Sequence, residues 1–171
     1  MSELKPISKE AIPRAIAKAE RYRLLNEPWE AESICRDVLG ADPGNQEALV
    51  MLLLSLTDQF GRRQAVSVNH AREILPQLRG EYERFYYAGV ICERWGKVQV
   101  RSGTPGHIAY AWFREAMEFF EKATALSPPL NEDAILRWNA CVRLMKGNTA
   151  LKPNPADGTY EPSHDDEAPP R

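Results

Sequence analysis

The sequence has little of what marks several common protein classes. Only three cysteines occur in 171 residues, Cys35, Cys92 and Cys141, and no two of them form a CxxC pair. This usage excludes a disulfide framework and a zinc ribbon. No apolar run approaches the roughly 18 residues that span a bilayer, and the opening MSELKPISKEAIPRA has no apolar stretch behind its charges. We therefore expect no signal peptide, no membrane segment and a cytoplasmic location.

The sequence also lacks a strong charge of either sign. Lys and Arg number 22 against 24 for Asp and Glu, a formal net charge of −2. This balance excludes the strongly basic surface by which most nucleic-acid binders hold phosphates. Apolar residues make up 43% and charged residues 27% of the chain, which is enough to bury a core and remain soluble.

Motifs for catalysis or metal binding are missing. There is no HExxH, no glycine-rich phosphate loop and no GxSxG. His70, His107 and His164 lie in unrelated segments, and the acidic SHDDE near the end has no scaffold around it. The cysteines fall at packing positions, where cysteine behaves as a small hydrophobe. We therefore expect neither an enzyme nor a metal or cofactor site.

Two compositions divide the chain. From Gly147 onward it reads GNTALKPNPADGTYEPSHDDEAPPR, which holds five of the thirteen prolines and a net charge of −3. Such a segment buries too little apolar surface to offset its loss of conformational entropy. The sequence thus predicts an N-terminal arm over residues 1–11, a helical domain over residues 12–146 and an acidic, proline-rich disordered tail over residues 147–171.

Helical periodicity and capping residues predict seven helices and no strand. Gly40 is expected to end the second helix, Asn45 to cap the third and Asn131 to cap the seventh. Pro76 is expected to distort the last turn of the fourth. The predicted ranges are 13–25, 28–39, 46–59, from about 62 to 78, 81–100, 107–126 and 132 to about 146.

Spaced small and large residues repeat along these helices. The odd-numbered helices each carry a triplet with intervals of four and then three residues: Ala15/Ala19/Tyr22, Leu49/Leu53/Leu56, Phe85/Gly89/Cys92 and Ala134/Trp138/Cys141. The second and sixth helices carry the same intervals, followed by a proline: Ala31/Cys35/Val38/Pro43 and Ala116/Phe120/Ala123/Pro128. A small residue lets a neighbouring helix approach, and the larger residue fills the adjoining groove. The spacing predicts helix pairs that stack to share a core.

This pattern resembles the tetratricopeptide repeat (TPR) family over roughly residues 12–146. AERYRLLNEPWEAESICRDVLGADPGNQEAL carries the resemblance, as does AGVICERWGK followed by REAMEFFEKATALSPPLNEDA. The middle repeat, residues 46–80, is poorer: Leu53 replaces a small residue, and Ala65 and Ala71 compete as its anchor. The resemblance implies an all-α, right-handed helical repeat of about three antiparallel helix pairs with a C-terminal capping helix.

An insertion, KVQVRSGTPGHIAYAW, separates the two helices of the last repeat. We expect it to lengthen both helices. Trp112 and Phe113 then either continue the core stripe of the sixth helix or form an exposed aromatic projection.

In TPR proteins the first helix of each pair lines a concave groove that receives peptides or helices. Carried over by repeat register, the resemblance implies these groove residues: Ile16, Glu20, Arg23, Val50, Leu54, Asp58, Tyr86, Val90, Glu93, Arg94, Ile135, Asn139 and Arg143. Tyr86, Leu54 and Arg94 would suit a short apolar or acidic peptide. Alternatively, the seventh helix covers the groove and the tyrosines pack against it.

The expected function is a non-catalytic scaffold or adaptor that binds a peptide or helix of another protein. One alternative is a structural subunit that self-associates through the lengthened third pair. Unpaired side chains of Tyr110, Met117 and Phe119 on one surface would favour it. Another alternative is an enzyme or small-ligand domain with an unrecognised pocket. The tail could also be a ligand for a groove.

Overall fold

A computed structural model of the chain describes residues 3–62 and 66–154. Over those ranges the fold is all-α, with seven α-helices and no strand. Short 3-10 turns at Lys9–Ala11 and Leu75–Gln77 accompany them. The helices are α1 Ile12–Leu24, α2 Pro28–Ala41, α3 Gln46–Asp58, α4 Val68–Arg72, α5 Glu81–Arg101, α6 Gly106–Ala125 and α7 Asp133–Gly147.

The helix boundaries follow local chemistry. Pro28 begins α2, where its missing N–H is no loss. The Asn45 side chain accepts a hydrogen bond from the backbone N–H of Ala48 and caps α3, as predicted. Asn131 was expected to cap α7, but the cap position is Glu132; the Asn131 side chain, one residue earlier, accepts a hydrogen bond of 3.0 Å from the N–H of Asp133. Gly40 was expected to end α2 but lies inside it, because the helix continues to Ala41.

The fourth helix is much shorter than predicted. Among the described residues of the range 62–78, only Val68–Arg72 is α-helical, and the chain then makes the 3-10 turn around Pro76. Proline cannot donate a helical hydrogen bond, and it disfavours the helical conformation of the residue before it. Ala71 is fully buried and is therefore the anchor of this segment, whereas Ala65 lies outside the described residues.

The remaining helices pack in chain order. α2 packs against α1 and α3, and α6 packs against α5 and α7, while α1 also contacts α3 and α3 contacts α5. One apolar cluster links α1 to α5 and a second links α5 to α7, with Leu54, Tyr87 and Trp112 touching both. The core is therefore continuous along the stack of helices.

α5 and α6 form the longest pair, with 21 and 20 residues against 13 and 14 for α1 and α2. Gly89 lies against Phe120, and Gly96 lies against Phe113. The later residue of α5 contacts the earlier residue of α6, so the two helices are antiparallel. Phe113 is fully buried and Trp112 packs edge-on against Trp95, which places both in the interior.

The segment that packs on the helices extends beyond the predicted boundary at residue 147. Leu151 is buried and joins the cluster of α5, α6 and α7. Ala150 approaches Gly106 so closely that a side chain at this glycine would strike its backbone. The rest of the predicted tail, residues 155–171, lies outside the described residues.

Candidate functional site

The first polar feature of the fold joins α1, α3 and α5. Arg23 of α1 donates a hydrogen bond of 2.8 Å from Nε to Asp58 Oδ2 of α3. Arg94 of α5 donates to the other oxygen, Oδ1, of the same carboxylate. Arg94 also donates to Thr57 Oγ1 at 2.6 Å. One carboxylate at the end of α3 thus binds guanidinium groups from the helices on both sides.

A second group of charges joins α5 and α7. Glu93 is 2% exposed, and its two oxygens accept from Lys97 one turn along α5 and from Arg137 of α7. The Arg137 bond is 2.9 Å. Because a buried carboxylate is unfavourable without opposite charge, these two cations hold Glu93 in place. We call the two groups together the polar ladder: Arg23, Asp58, Arg94, Glu93, Lys97 and Arg137.

The arginines of the polar ladder have different environments. Burial lowers the pKa of Arg94, and Asp58 opposes this effect while Arg137 and Arg23 reinforce it. Burial also acts to lower the pKa of Arg137, but Glu93 and the Tyr86 hydroxyl outweigh it, so the net shift is upward. The positive charges of Arg23 and Arg137 therefore both act on Arg94, which lies between them on this face.

The structure brings several of the predicted groove residues together. Arg23, Asp58 and Arg94 form one hydrogen-bonded group, and Glu93 belongs to the ladder beside it. Ile16 and Val90 instead lie in the hydrophobic core, at 5% and 0% exposure, so they are not accessible to a partner. The other predicted residues are at least partly accessible: Glu20, Val50, Leu54, Tyr86, Ile135, Asn139 and Arg143.

The tyrosines of α5 pack toward α7. Tyr86 stacks on Tyr82 with ring centroids 5.7 Å apart, and its hydroxyl accepts a hydrogen bond from Arg137 Nε at 3.4 Å. The Tyr82 hydroxyl donates to Asn131 just before α7 at 3.2 Å. These contacts agree with the alternative in which α7 covers this part of the face and the tyrosines pack against it.

Sequence reasoning missed Arg137, Lys97 and Thr57. The four-residue interval from Glu93 to Lys97 is a recognisable helical ion-pair spacing and could have identified the lysine. Arg137 and Thr57 carry no such signal, because their partners lie 44 and 37 residues away in the chain.

Two adjoining clefts open where α3 and α5 end. Their volumes are about 180 and 330 Å³. Phe60 and Val98 contribute apolar surface to both clefts. The cations around them are Arg62, Arg94, Lys97 and Arg101. The region where α3 and α5 end therefore has more positive charge than the near-neutral net charge of the sequence suggests.

The cysteines do not form a reactive centre. Each thiol is buried, and burial raises its pKa from 9.0 to about 12. Since the thiolate is the nucleophilic form, these thiols are unreactive in the folded protein at neutral pH. Over the described residues, no three His, Cys, Asp or Glu side chains are grouped to hold a metal ion.

The three side chains whose exposure would favour self-association through the third pair are each packed at least partly against the core: Tyr110, Met117 and Phe119. Phe119 stacks against Phe85 with ring centroids 6.5 Å apart, and Met117 is 7% exposed. Tyr110 is half-buried. These side chains therefore do not share an unpaired aromatic surface.

In the part of the chain that the structure describes, no helix is both long enough and apolar enough to cross a membrane. No protein-family model, no curated protein and no solved structure matches the chain. Any function assigned to it rests on its own residues and geometry.

Proposed function

We propose that this chain is a TPR-like, right-handed helical repeat that acts as a non-catalytic scaffold or adaptor. It binds an extended or helical peptide of a partner protein on the face lined by α1, α3, α5 and α7. The observation that carries the proposal is the polar ladder, whose two hydrogen-bonded groups connect α1 and α5 to α3, and α7 to α5.

The spacing of the contacts supports a repeat. Arg23 and Asp58 are 35 residues apart, and Asp58 and Arg94 are 36 apart. The second separation equals the 36 residues between the triplet centres of α3 and α5, and the first is one residue longer than the 34 between those of α1 and α3. Tyr82 and Asn131 are 49 apart, which equals the interval from Gly89 to Trp138. Residues at equal or nearly equal positions along successive odd-numbered helices thus make several of the contacts between them, which supports stacked helix pairs.

The charges at the end of this face favour an acidic partner segment. Asp58 and Glu93 are each paired with two cations of the ladder. Arg62 and Arg101 line the adjoining clefts and form no ion pair with any described residue. Guanidinium groups bind carboxylates with charge-assisted hydrogen bonds, and the Phe60 side chain offers an apolar contact beside them. A protein with three free thiols also fits the reducing cytoplasm.

Site-specific photo-crosslinking in cells would test the proposal. A photoreactive residue is placed at Glu20 or Arg143, which are exposed on the proposed binding face, and at Asp37 on α2 as the control. We expect one protein to crosslink from both Glu20 and Arg143 and not from Asp37. Crosslinking only from Asp37, or none from Glu20 and Arg143, would overturn the proposal.

A charge-reversal variant tests the basic end of the face. Arg62→Glu with Arg101→Glu is expected to weaken capture of that crosslinked partner at least about tenfold, or 1.4 kcal/mol. The matched control, Lys5→Glu with Lys9→Glu, makes the same charge change at two exposed N-terminal positions and should leave capture unchanged. Equal loss in both variants would show that only net charge matters.

A further inference from the structure

The last helix presents a face that the earlier helices cover. The centre of the repeated triplet is buried in α1, α3 and α5, where it is Ala19, Leu53 and Gly89. In α7 the same position is Trp138, which is 37% exposed. Among the described residues no helix follows α7, so none of them forms a second helix to pair with it.

An open cleft lies at this end of the molecule, between α6 and α7. Its volume is about 550 Å³, and its apolar lining comes from Met117 of α6 with Ile135 and Trp138 of α7. Glu118 and Glu121 stand along its α6 side, together with Arg114 one turn earlier. We call this the α6/α7 cleft. It offers an apolar floor with two carboxylates and one guanidinium group at its edge, a net negative charge.

The opposite end of the stack presents a face of complementary charge. On α1, the side turned away from the buried Ile12, Ile16 and Ala19 carries Arg14, Lys18 and Arg21. Ala17 and Leu25 lie among these cations, and Leu25 is 62% exposed. The lining of this α1 face includes no carboxylate.

The charges on both faces lack ionic partners among the described residues. Within residues 3–62 and 66–154, none of Lys18, Arg21, Glu118 and Glu121 forms a salt bridge, and the Lys18 ammonium lies 5.8 Å from the centre of the Tyr22 ring on its own helix. The interval from Lys18 to Arg21 equals that from Glu118 to Glu121, so two ion pairs can form together between antiparallel helices, Lys18 with Glu121 and Arg21 with Glu118. α1 packs against α2 and α3, whereas α7 packs against α6. The faces lie at opposite ends of the stack and meet only between molecules.

We propose that the occupant of the α6/α7 cleft is the α1 face of a second copy of this chain. Leu25 and Ala17 then cover the apolar floor around Trp138, while Lys18 and Arg21 pair with Glu121 and Glu118. The contact uses different surfaces on the two copies, so it propagates head to tail and yields a ring or a chain. It leaves the face of the polar ladder free.

Sedimentation velocity of the full-length chain at rising concentration tests this contact. We expect reversible association that weakens as salt is added, because charges on both surfaces contribute. Lys18→Glu with Arg21→Glu, and separately Glu118→Lys with Glu121→Lys, should each weaken association at least about tenfold, or 1.4 kcal/mol. All four side chains are exposed, and circular dichroism confirms that each variant folds.

Mixing the two reversed variants gives the decisive result. Each one alone has like charges across the contact, but an equimolar mixture restores opposite charges and should restore association. The control, Glu30→Lys with Asp37→Lys on α2, should associate as the unchanged protein does. The proposal is overturned if the unchanged protein stays monomeric, if the variants associate normally, or if the mixture does not recover.

Discussion

At the scale of single residues, burial decides what the titratable side chains do. Cys35, Cys92 and Cys141 are all at 0–1% exposure, and their pKa values rise to about 12 because a thiolate would lose its hydration. Burial likewise raises the pKa of the Tyr87 phenol from 10.0 to about 12. Glu93, by contrast, keeps two cations as partners. The same low exposure therefore removes reactivity in one case and fixes an ion pair in the other.

The raised pKa values predict a loss of stability at alkaline pH. The folded protein holds these four protons more tightly than the unfolded chain, so their contribution is complete below pH 9. It declines as the pH rises from about 9 towards 12. Urea unfolding at a series of pH values should show a falling free energy of unfolding over that window.

Thiol labelling provides the control for this prediction. At neutral pH a disulfide reagent should modify the three cysteines only after urea has unfolded the protein. If a thiol reacts in the native protein as fast as in urea, the assigned burial is wrong.

At the scale of helices, two glycines that both lie inside a helix differ in the space around them. A Cβ at Gly89 of α5 would lie 2.6 Å from Phe120 Cε1 of α6, whereas a Cβ at Gly40 of α2 would have nothing within 4 Å. Phe120 is fully buried and has no room to move. The close approach of α5 and α6 therefore depends on Gly89, while Gly40 contributes no packing.

Alanine substitutions separate these roles. Gly89→Ala should lower the free energy of unfolding by about 1–2 kcal/mol, because the overpacking exceeds the gain in helix propensity. Gly40→Ala should raise it by about 0.5 kcal/mol, since Gly40 is helical and exposed. Both are measured by urea unfolding. A loss of stability in Gly40→Ala would instead support the sequence expectation that this glycine ends α2.

At the scale of the whole molecule, the segment after α7 closes the third pair. Leu151 is 6% exposed and packs in the cluster that joins α5, α6 and α7. Ala150 lies beside Gly106 at the start of α6. A segment that reads as tail in the sequence therefore belongs in part to the folded domain.

Leu151→Ala tests this closure. It should lower the free energy of unfolding by about 2 kcal/mol, as the loss of a buried leucine side chain does. Lys152→Ala, at the exposed neighbouring position, should change it by less than about 0.5 kcal/mol. Equal effects of the two substitutions in a denaturant titration would show that Leu151 does not pack against the helices.

The sequence alone predicted six of the seven helices to within about two residues at each end, because their periodicity and capping residues are local signals. It failed at α4, where the described helix ends at Arg72 and a 3-10 turn around Pro76 takes the place of the expected last turns. It named Arg23, Asp58 and Arg94 through repeat register, and these three meet. It also assigned Ile16 and Val90 to the groove, but both are buried in the core. Repeat register alone does not predict that burial.

What the sequence by itself determined is thus the all-α class and the intervals at which helices approach one another. The tertiary structure decided which charges meet. Arg137 reaches Glu93 across 44 residues, and Trp138 remains exposed because no described helix follows α7. The physical reason is that helix periodicity is set by residues three or four apart. Burial and ion pairing depend instead on neighbours brought together only when the helices stack.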